Sequence, residues 1–236
     1  MTESIIMSRS SQKRLQKDII DIIKNPLTDN GIYYAHDENN MLRGYAIIFG
    51  PSDTIYRYGA YYFSFAFPTD YPFSPPKVTF LTGDGITRFH PNLYRNGKVC
   101  ISILNTWKGE QWTSCQNIKS ILLMLVTLFH NKPLLNEPGI KETHKDFKLF
   151  NQIITYKNIE IAILNTLCKK NIPDACVSFT PLYINYIIEN KKHILKYIKS
   201  FKKLNKITVH IGLYNFKCTI DYKPVYKQIK DILKHL

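Results

Sequence analysis

From Ser10 onward the apolar residues Leu15, Ile19, Ile22 and Ile23 recur at the spacing of one helix face. Lys13, Arg14, Lys17 and Asp21 take other positions, and Asn25-Pro26 closes the run. An amphipathic first helix is therefore predicted. The period then changes: Gly44–Pro51 and Tyr61–Phe67 are dense in β-branched and aromatic residues, and Lys77–Leu81 follows a proline cluster in the same manner. These predict three antiparallel strands in a meander. Between Leu81 and Ile118 no long periodic segment occurs, and Gly83, Gly85, Pro91, Asn96-Gly97 and Gly109 mark an irregular loop region. Ile118–Phe129 is apolar on nearly all sides, with Ile118, Ile121, Leu122, Leu125 and Phe129 as its strongest stripe, which predicts a buried central helix ending before Pro133.

In the remainder, Thr143-x-x-Asp146 has the form of a capping box. Phe147, Phe150, Ile154, Ile161 and Leu164 extend one long helix towards Lys169, and Asn171-Ile-Pro173 interrupts it. Thr180-Pro181 sets a capping hydroxyl before a first-turn proline and predicts a helix from Pro181 to about Lys203, while a last helix is expected over Val225–Lys234. Ile207–Tyr214 alternates like a strand, but the sequence identifies no partner for it, so loop and hairpin both stand.

With 44% apolar and 21% charged residues, the 236-residue chain can bury a core, and wholesale disorder is excluded. The longest apolar run, Ile121–Phe129, is about half of the roughly 18 residues a membrane-spanning helix needs. The N-terminus has no apolar stretch after a basic region, so a soluble protein of cytosol or nucleus, without membrane contact, is expected. The net charge of +14 is uneven. Residues 1–156 hold 17 basic and 13 acidic side chains, whereas 157–236 hold 15 and 5, every basic one a lysine. Such a tail is compatible with nucleic-acid binding, yet a solvated lysine face is the simpler reading. The five cysteines, at 100, 115, 168, 176 and 218, are odd in number and contain no Cys-x-x-Cys pair, which fits neither a disulfide framework nor a zinc ribbon. Cys168, Cys176 and His193 do not complete a four-ligand set, so no metal is expected.

The chemistry concentrates in the loop region: Phe67-Pro-Thr-Asp-Tyr-Pro-Phe-Ser-Pro-Pro76, then His90-Pro-Asn92, then Asn96-Gly-Lys-Val-Cys100. A cysteine in irregular backbone just after an Asn-Gly turn predicts an accessible thiol, whereas a structural cysteine sits on an apolar element. From the residues alone, reactive and structural roles for Cys100 both remain open. Cys115 leads directly into the apolar helix and is expected to pack there, inert.

Taken together, these motifs resemble the ubiquitin-conjugating enzyme family over roughly residues 10–155. His90-Pro91-Asn92 precedes Cys100 by eight residues, Tyr71-Pro-Phe-Ser-Pro-Pro76 lies upstream, and Trp112 leads into the helix. Tyr94–Leu104, the Thr106-Trp107 insertion and Asn136-Glu-Pro-Gly139 resemble a branch of that family with a helical C-terminal extension. The resemblance implies an α+β fold: an N-terminal helix, a four-stranded antiparallel meander, an active-site loop and helices, followed by the extension. It also implies a division into a flexible N-terminus (1–9), a catalytic core (10–156) and a basic, mainly helical extension (157–236).

The function so implied is a transferase that accepts ubiquitin or a ubiquitin-like modifier from an activating enzyme as a thioester on Cys100. The modifier then passes to a lysine amine of a protein substrate or to a ligase cysteine. No cofactor is needed, because the ATP is consumed by the activating enzyme. Transthiolation suits a cysteine without an adjoining base, since the leaving group is itself a thiol. Asn92 is implied to stabilise an oxyanion, to brace the loop, or both, while His90 and Pro91 are structural, with the imidazole expected to hydrogen-bond backbone carbonyls. Glu137 stands where relatives carry an acidic gate beside the cysteine, able to orient and deprotonate an incoming lysine; a carboxylate merely preceding a proline turn is the alternative. Ser102 replaces a second acidic residue found in many relatives. Lys13, Arg14 and Lys17 match the face that docks the activating enzyme, and Phe73, Trp112, Thr113 and Ser114 match ligase contacts. Two other classes remain: an inactive variant that only binds ubiquitin, and a nucleic-acid-binding protein that uses the tail.

Overall fold

The computed structural model describes residues 7–170, 172–201 and 205–236. Most of the expected N-terminal segment 1–9, Asn171 of the expected helix break, and the predicted end of the long C-terminal helix at Lys203 lie outside the described residues. Helix α1 (Arg9–Lys24) begins where the Ser8 hydroxyl accepts the Ser11 N–H, satisfying one of the orphan donors of the first turn. Leu15 and Ile22 form its buried face.

A four-stranded antiparallel sheet follows in the order β1 (Ile32–His36), β2 (Arg43–Phe49), β3 (Ala60–Ala66) and β4 (Lys77–Phe80). β2 and β3 are buried along nearly their whole length, which is why their sequences read as continuous apolar runs. β1 has no such run: only Ile32 is fully buried on this edge strand, so periodicity gave it no signal. Its register, Ile32↔Ile48 to His36↔Gly44, completes the meander.

Helix α2 (Ile118–Thr127) is capped reciprocally by Asn117 and Ser120. Ile118, Ile121, Leu122 and Leu125 are buried as expected, but Leu123 and Met124 are 40% and 37% exposed, so the helix has a solvent face and is not enclosed. Helix α3 (Phe147–Lys157) continues without a break into a π-helical segment, Asn158–Asn165. The expected capping box at its start is absent. Asp146 makes no cap hydrogen bond and instead accepts the backbone N–H of Leu213 at 2.9 Å.

Helix α4 (Thr180–Phe201) begins from a 3-10 turn over Asp174–Phe179. Thr180 already has helical dihedrals, so it is the first helical residue and not the expected cap. Ile207–Ile211 (β5) finds its partner in Phe216–Ile220 (β6), with Val209, Ile211, Phe216, Cys218 and Ile220 buried on one face of the hairpin. Asp221 caps α5 (Tyr222–His235), which buries Tyr222, Val225, Ile229 and Leu233. One hydrophobic core runs from Leu15 to Leu233. Among the described residues, no helix is long and apolar enough to cross a membrane.

Candidate active site

The loop after β4 is a fixed structure. Tyr94–Lys98 forms a tight turn closed by Gly97 N–H to Tyr94 C=O and Tyr94 N–H to Lys98 C=O, and it hangs on β4 because Gly97 C=O accepts the Phe80 N–H at 2.8 Å. Gly97 has φ +84°, and a Cβ there would lie 2.8 Å from Phe80 O, so this corner admits no side chain. The chain then returns beside its own earlier segment through a Leu93↔Val99 bridge and a 2.9 Å bond from Cys100 N–H to Asn92 C=O. The side-chain amide of Asn92 donates to the carbonyl of Cys100 at 2.5 Å, closing a reciprocal pairing of the two residues. Thr106, from the insertion, accepts the Ile101 N–H at 3.0 Å and lies 2.9 Å from Val99 C=O, bracing the other side of the cysteine.

Cys100 is 2% exposed, against the expectation of an accessible thiol. The backbone pairing packs the loop, with Val99 and Ile101 buried on either side, so irregular backbone did not mean open backbone. Cys115, expected to pack, is exposed instead. Burial pushes the Cys176 thiol up to about 12 and the Cys218 thiol up to about 11, which keeps both protonated at neutral pH. Among the described residues no three His, Cys, Asp or Glu side chains gather as a metal set would.

His90 is fully buried. Its Nδ1 accepts the Asn92 N–H at 3.0 Å, so it meets a backbone donor where backbone carbonyls were expected. Burial, reinforced by His130 and Arg88, holds its pKa well below the usual imidazole value, and it is neutral. Pro91 offers its carbonyl to the Arg88 guanidinium. That guanidinium lies between two tyrosine rings, 3.9 Å from the centroid of Tyr94 and 4.5 Å from that of Tyr214.

Glu137 follows a short 3-10 turn, Pro133–Asn136, and its Oε2 accepts the Tyr214 hydroxyl at 2.5 Å. The segment also approaches the loop through His130, whose ring lies 5.9 Å from that of His90 and whose Nε2 is 3.0 Å from the Asn136 side-chain oxygen. Arg88 and Tyr214 were not found from sequence. Tyr214 stands 77 residues from Glu137 with no motif around it, and only the hairpin brings them together.

Of the expected docking residues, Lys13 and Lys17 face solvent. Arg14 does not: it pairs with Asp18 at 3.0 Å and donates to the carbonyls of Ser114 and Gln116, tying α1 to the entry of α2. Phe73 is 75% exposed, and Thr113 and Ser114 are also exposed. Trp112 is buried, and its indole N–H donates to Pro72 C=O at 2.7 Å, which ties the segment carrying Phe73 to the one carrying Thr113 and Ser114.

Comparison with known proteins shows the family. The sequence profile described as ubiquitin-conjugating enzyme matches residues 14–160. Over 227 residues the chain is 34% identical to ubiquitin-conjugating enzyme E2 Z of Xenopus tropicalis, an alignment covering 94% of this chain and 69% of that protein. With the human ubiquitin-conjugating enzyme E2 Z it shares 41% identity over 157 residues, 65% of this chain and 44% of the relative. Among solved structures, human ubiquitin-conjugating enzyme E2 G1 is similar at 33% identity and a TM-score of 0.45, covering 51% of this chain and 94% of that one.

Proposed function

Because the chain belongs to the ubiquitin-conjugating enzyme family, we propose that it carries ubiquitin or a ubiquitin-like modifier as a thioester on Cys100. It receives the modifier from an activating enzyme and passes it to a lysine amine or a ligase cysteine, in the cytosol or nucleus and without a cofactor of its own. The observation that carries this reading is the reciprocal pairing of Asn92 with Cys100, which fixes the backbone of one cysteine beside the His90-Pro91-Asn92 turn.

Charging breaks one thioester and forms another. The Cys100 thiol loses its proton to solvent, its sulfur attacks the incoming carbonyl, and the activating enzyme's sulfur leaves as a thiolate that is reprotonated. No strong base is required, because the leaving group is itself a thiolate. Because Cys100 is nearly fully buried, the side chains that cover it must move aside when the modifier's C-terminus enters. Asn92 presents an amide with two N–H groups, one already on the Cys100 carbonyl. The other suits an oxyanion, a donor worth about 2.7–4 kcal/mol where measured in a protease. Glu137 would take a proton from the lysine ammonium in the second step.

The test is charging. Wild type, Cys100→Ser and Cys115→Ser are incubated with an activating enzyme, ubiquitin and ATP and run with and without reductant. A reductant-sensitive single adduct is expected for wild type and Cys115→Ser, and for Cys100→Ser a reductant-resistant ester or nothing. An adduct surviving in Cys100→Ser but lost in Cys115→Ser would overturn the assignment.

A further inference from the structure

We propose that Tyr214, at the turn of the β5–β6 hairpin, is a positioning residue for the Glu137 carboxylate, so that the C-terminal extension helps set how fast a charged Cys100 is discharged to an amine. The inference rests on the role given to Glu137 above. Tyr214 is fixed at three points. Its backbone carbonyl accepts from Arg95 at 3.0 Å, and the neighbouring Leu213 N–H is held by buried Asp146 at 2.9 Å. Its ring lies against the Arg88 guanidinium and edge-on to Phe150 at 6.0 Å. Its hydroxyl ends on Glu137 Oε2 at 2.5 Å. Burial and the facing carboxylate push the phenol well above its ordinary pKa, so at working pH it keeps the proton that it donates to Glu137.

Glu137 is half-buried at the end of a 3-10 turn. Nothing on its own element orients the carboxylate: the turn offers the Glu137 backbone N–H a bond to Leu134 C=O, and the side chain's partner comes from the hairpin. Tyr214 occupies Oε2 and leaves Oε1, which among the described residues has no partner, for an incoming ammonium. The same tyrosine ring leans on Arg88, which holds the Pro91 carbonyl, so carboxylate and cysteine loop are referred to one anchor. In the discharge step the lysine ammonium gives one proton to Oε1, and the freed amine attacks the thioester carbonyl. The C–N bond forms, the C–S bond breaks with its electron pair on the Cys100 sulfur, the second amine proton goes to solvent, and the thiolate is reprotonated. Glu137 then returns its proton to water. Transfer to a thiol needs no such acceptor.

The experiment uses the full chain, charged and then separated from ATP and activating enzyme, and follows single-turnover discharge to free lysine and to a small thiol for wild type, Tyr214→Phe, Glu137→Gln and the double variant. Tyr214→Phe keeps the ring on Arg88 and is expected to retain the melting temperature. It should slow lysine discharge roughly tenfold, within the hundredfold that a 1 Å misplacement can cost, and leave thiol discharge unchanged. The double variant should match Glu137→Gln. If Glu137→Gln slows lysine discharge and Tyr214→Phe does not, the positioning role falls while the carboxylate role stands. If Glu137→Gln itself has no effect, both fall. Equal slowing of lysine and thiol discharge by Tyr214→Phe, or additivity in the double variant, would show a structural role only and overturn the inference.

Discussion

His90 shows at the scale of one residue how the loop is held. Its ring is fully buried, its Nδ1 accepts the Asn92 N–H, and its pKa is lowered first by burial and then by His130 and Arg88. In the unfolded chain the same imidazole binds a proton near pH 6.5. The unfolded state therefore holds more protons below that pH, and stability is flat above about 6.5 and falls as pH drops, by about 1.4 kcal/mol per unit for one histidine kept neutral. His36, lowered chiefly by burial, acts in the same direction. The depressed carboxylates of Asp21 and Asp84 add a loss only near and below pH 3.8. Urea midpoints at pH 7.5 and 5.5 should thus differ for wild type and differ less for His90→Asn; equal wild-type midpoints would contradict this account. The residue scale also shows where local sequence misled. Cys100 and Cys115 exchange the exposures expected of them, because backbone pairing buries the first and an outward turn before α2 exposes the second.

Among the elements, the π segment Asn158–Asn165 has the most specific job. Its wider turns follow α3 directly and carry Asn158 inward, where the side chain accepts from Tyr61 OH at 2.6 Å and donates to Arg57 C=O at 2.9 Å. Gly59 permits the approach: a Cβ there would sit 2.1 Å from Asn158 Oδ1. Asn158→Ala leaves a buried hydroxyl and a carbonyl unpaired, and should cost about 1–3 kcal/mol for each group that water cannot reach. Chemical denaturation measures this, and a change below about 0.5 kcal/mol would mean the pair is dispensable. Periodicity found α1, α2, α3 and α4 because each carries a buried stripe, but it could not distinguish α from π turns within one apolar run. β1 escaped because an edge strand buries too little to mark its sequence. β5 has no partner legible in the sequence, because β6 is visible only as Phe216, Cys218 and Ile220 alternating with polar residues.

On the scale of the molecule, the described residues of 157–236 pack onto the sheet and reach the site. Phe49 of β2 stacks on Tyr186 of α4 at 4.4 Å, and the Tyr183 hydroxyl donates to Tyr58 C=O at 2.9 Å. Ile159, Ile161, Ala162 and Ile163 are buried in the common core. Removing residues 157–236 would uncover Phe49, leave the Tyr61 hydroxyl of β3 without Asn158, and abolish the Arg88–Tyr214 contact. The remaining fragment is expected to unfold at a lower temperature than the full chain or to aggregate, as scanning calorimetry and sedimentation would show. An equally stable, monomeric fragment would mean the extension is only appended.

By itself the sequence determined the family, the helix faces and the two central strands, and it singled out Cys100 as the candidate thiol. Each of these rests on neighbours in sequence: a period of burial, or His-Pro-Asn and Asn-Gly at a fixed distance from Cys100. The tertiary structure alone decided which side chains meet across long separations. It took Arg14 away from solvent and into the α2 entry, turned Asp146 from a helix cap into a clasp on Leu213, and set Tyr214 against Glu137 and Arg88. Such pairings depend on how whole elements dock, and a hydrogen bond spanning 77 residues leaves no local pattern for a sequence to display.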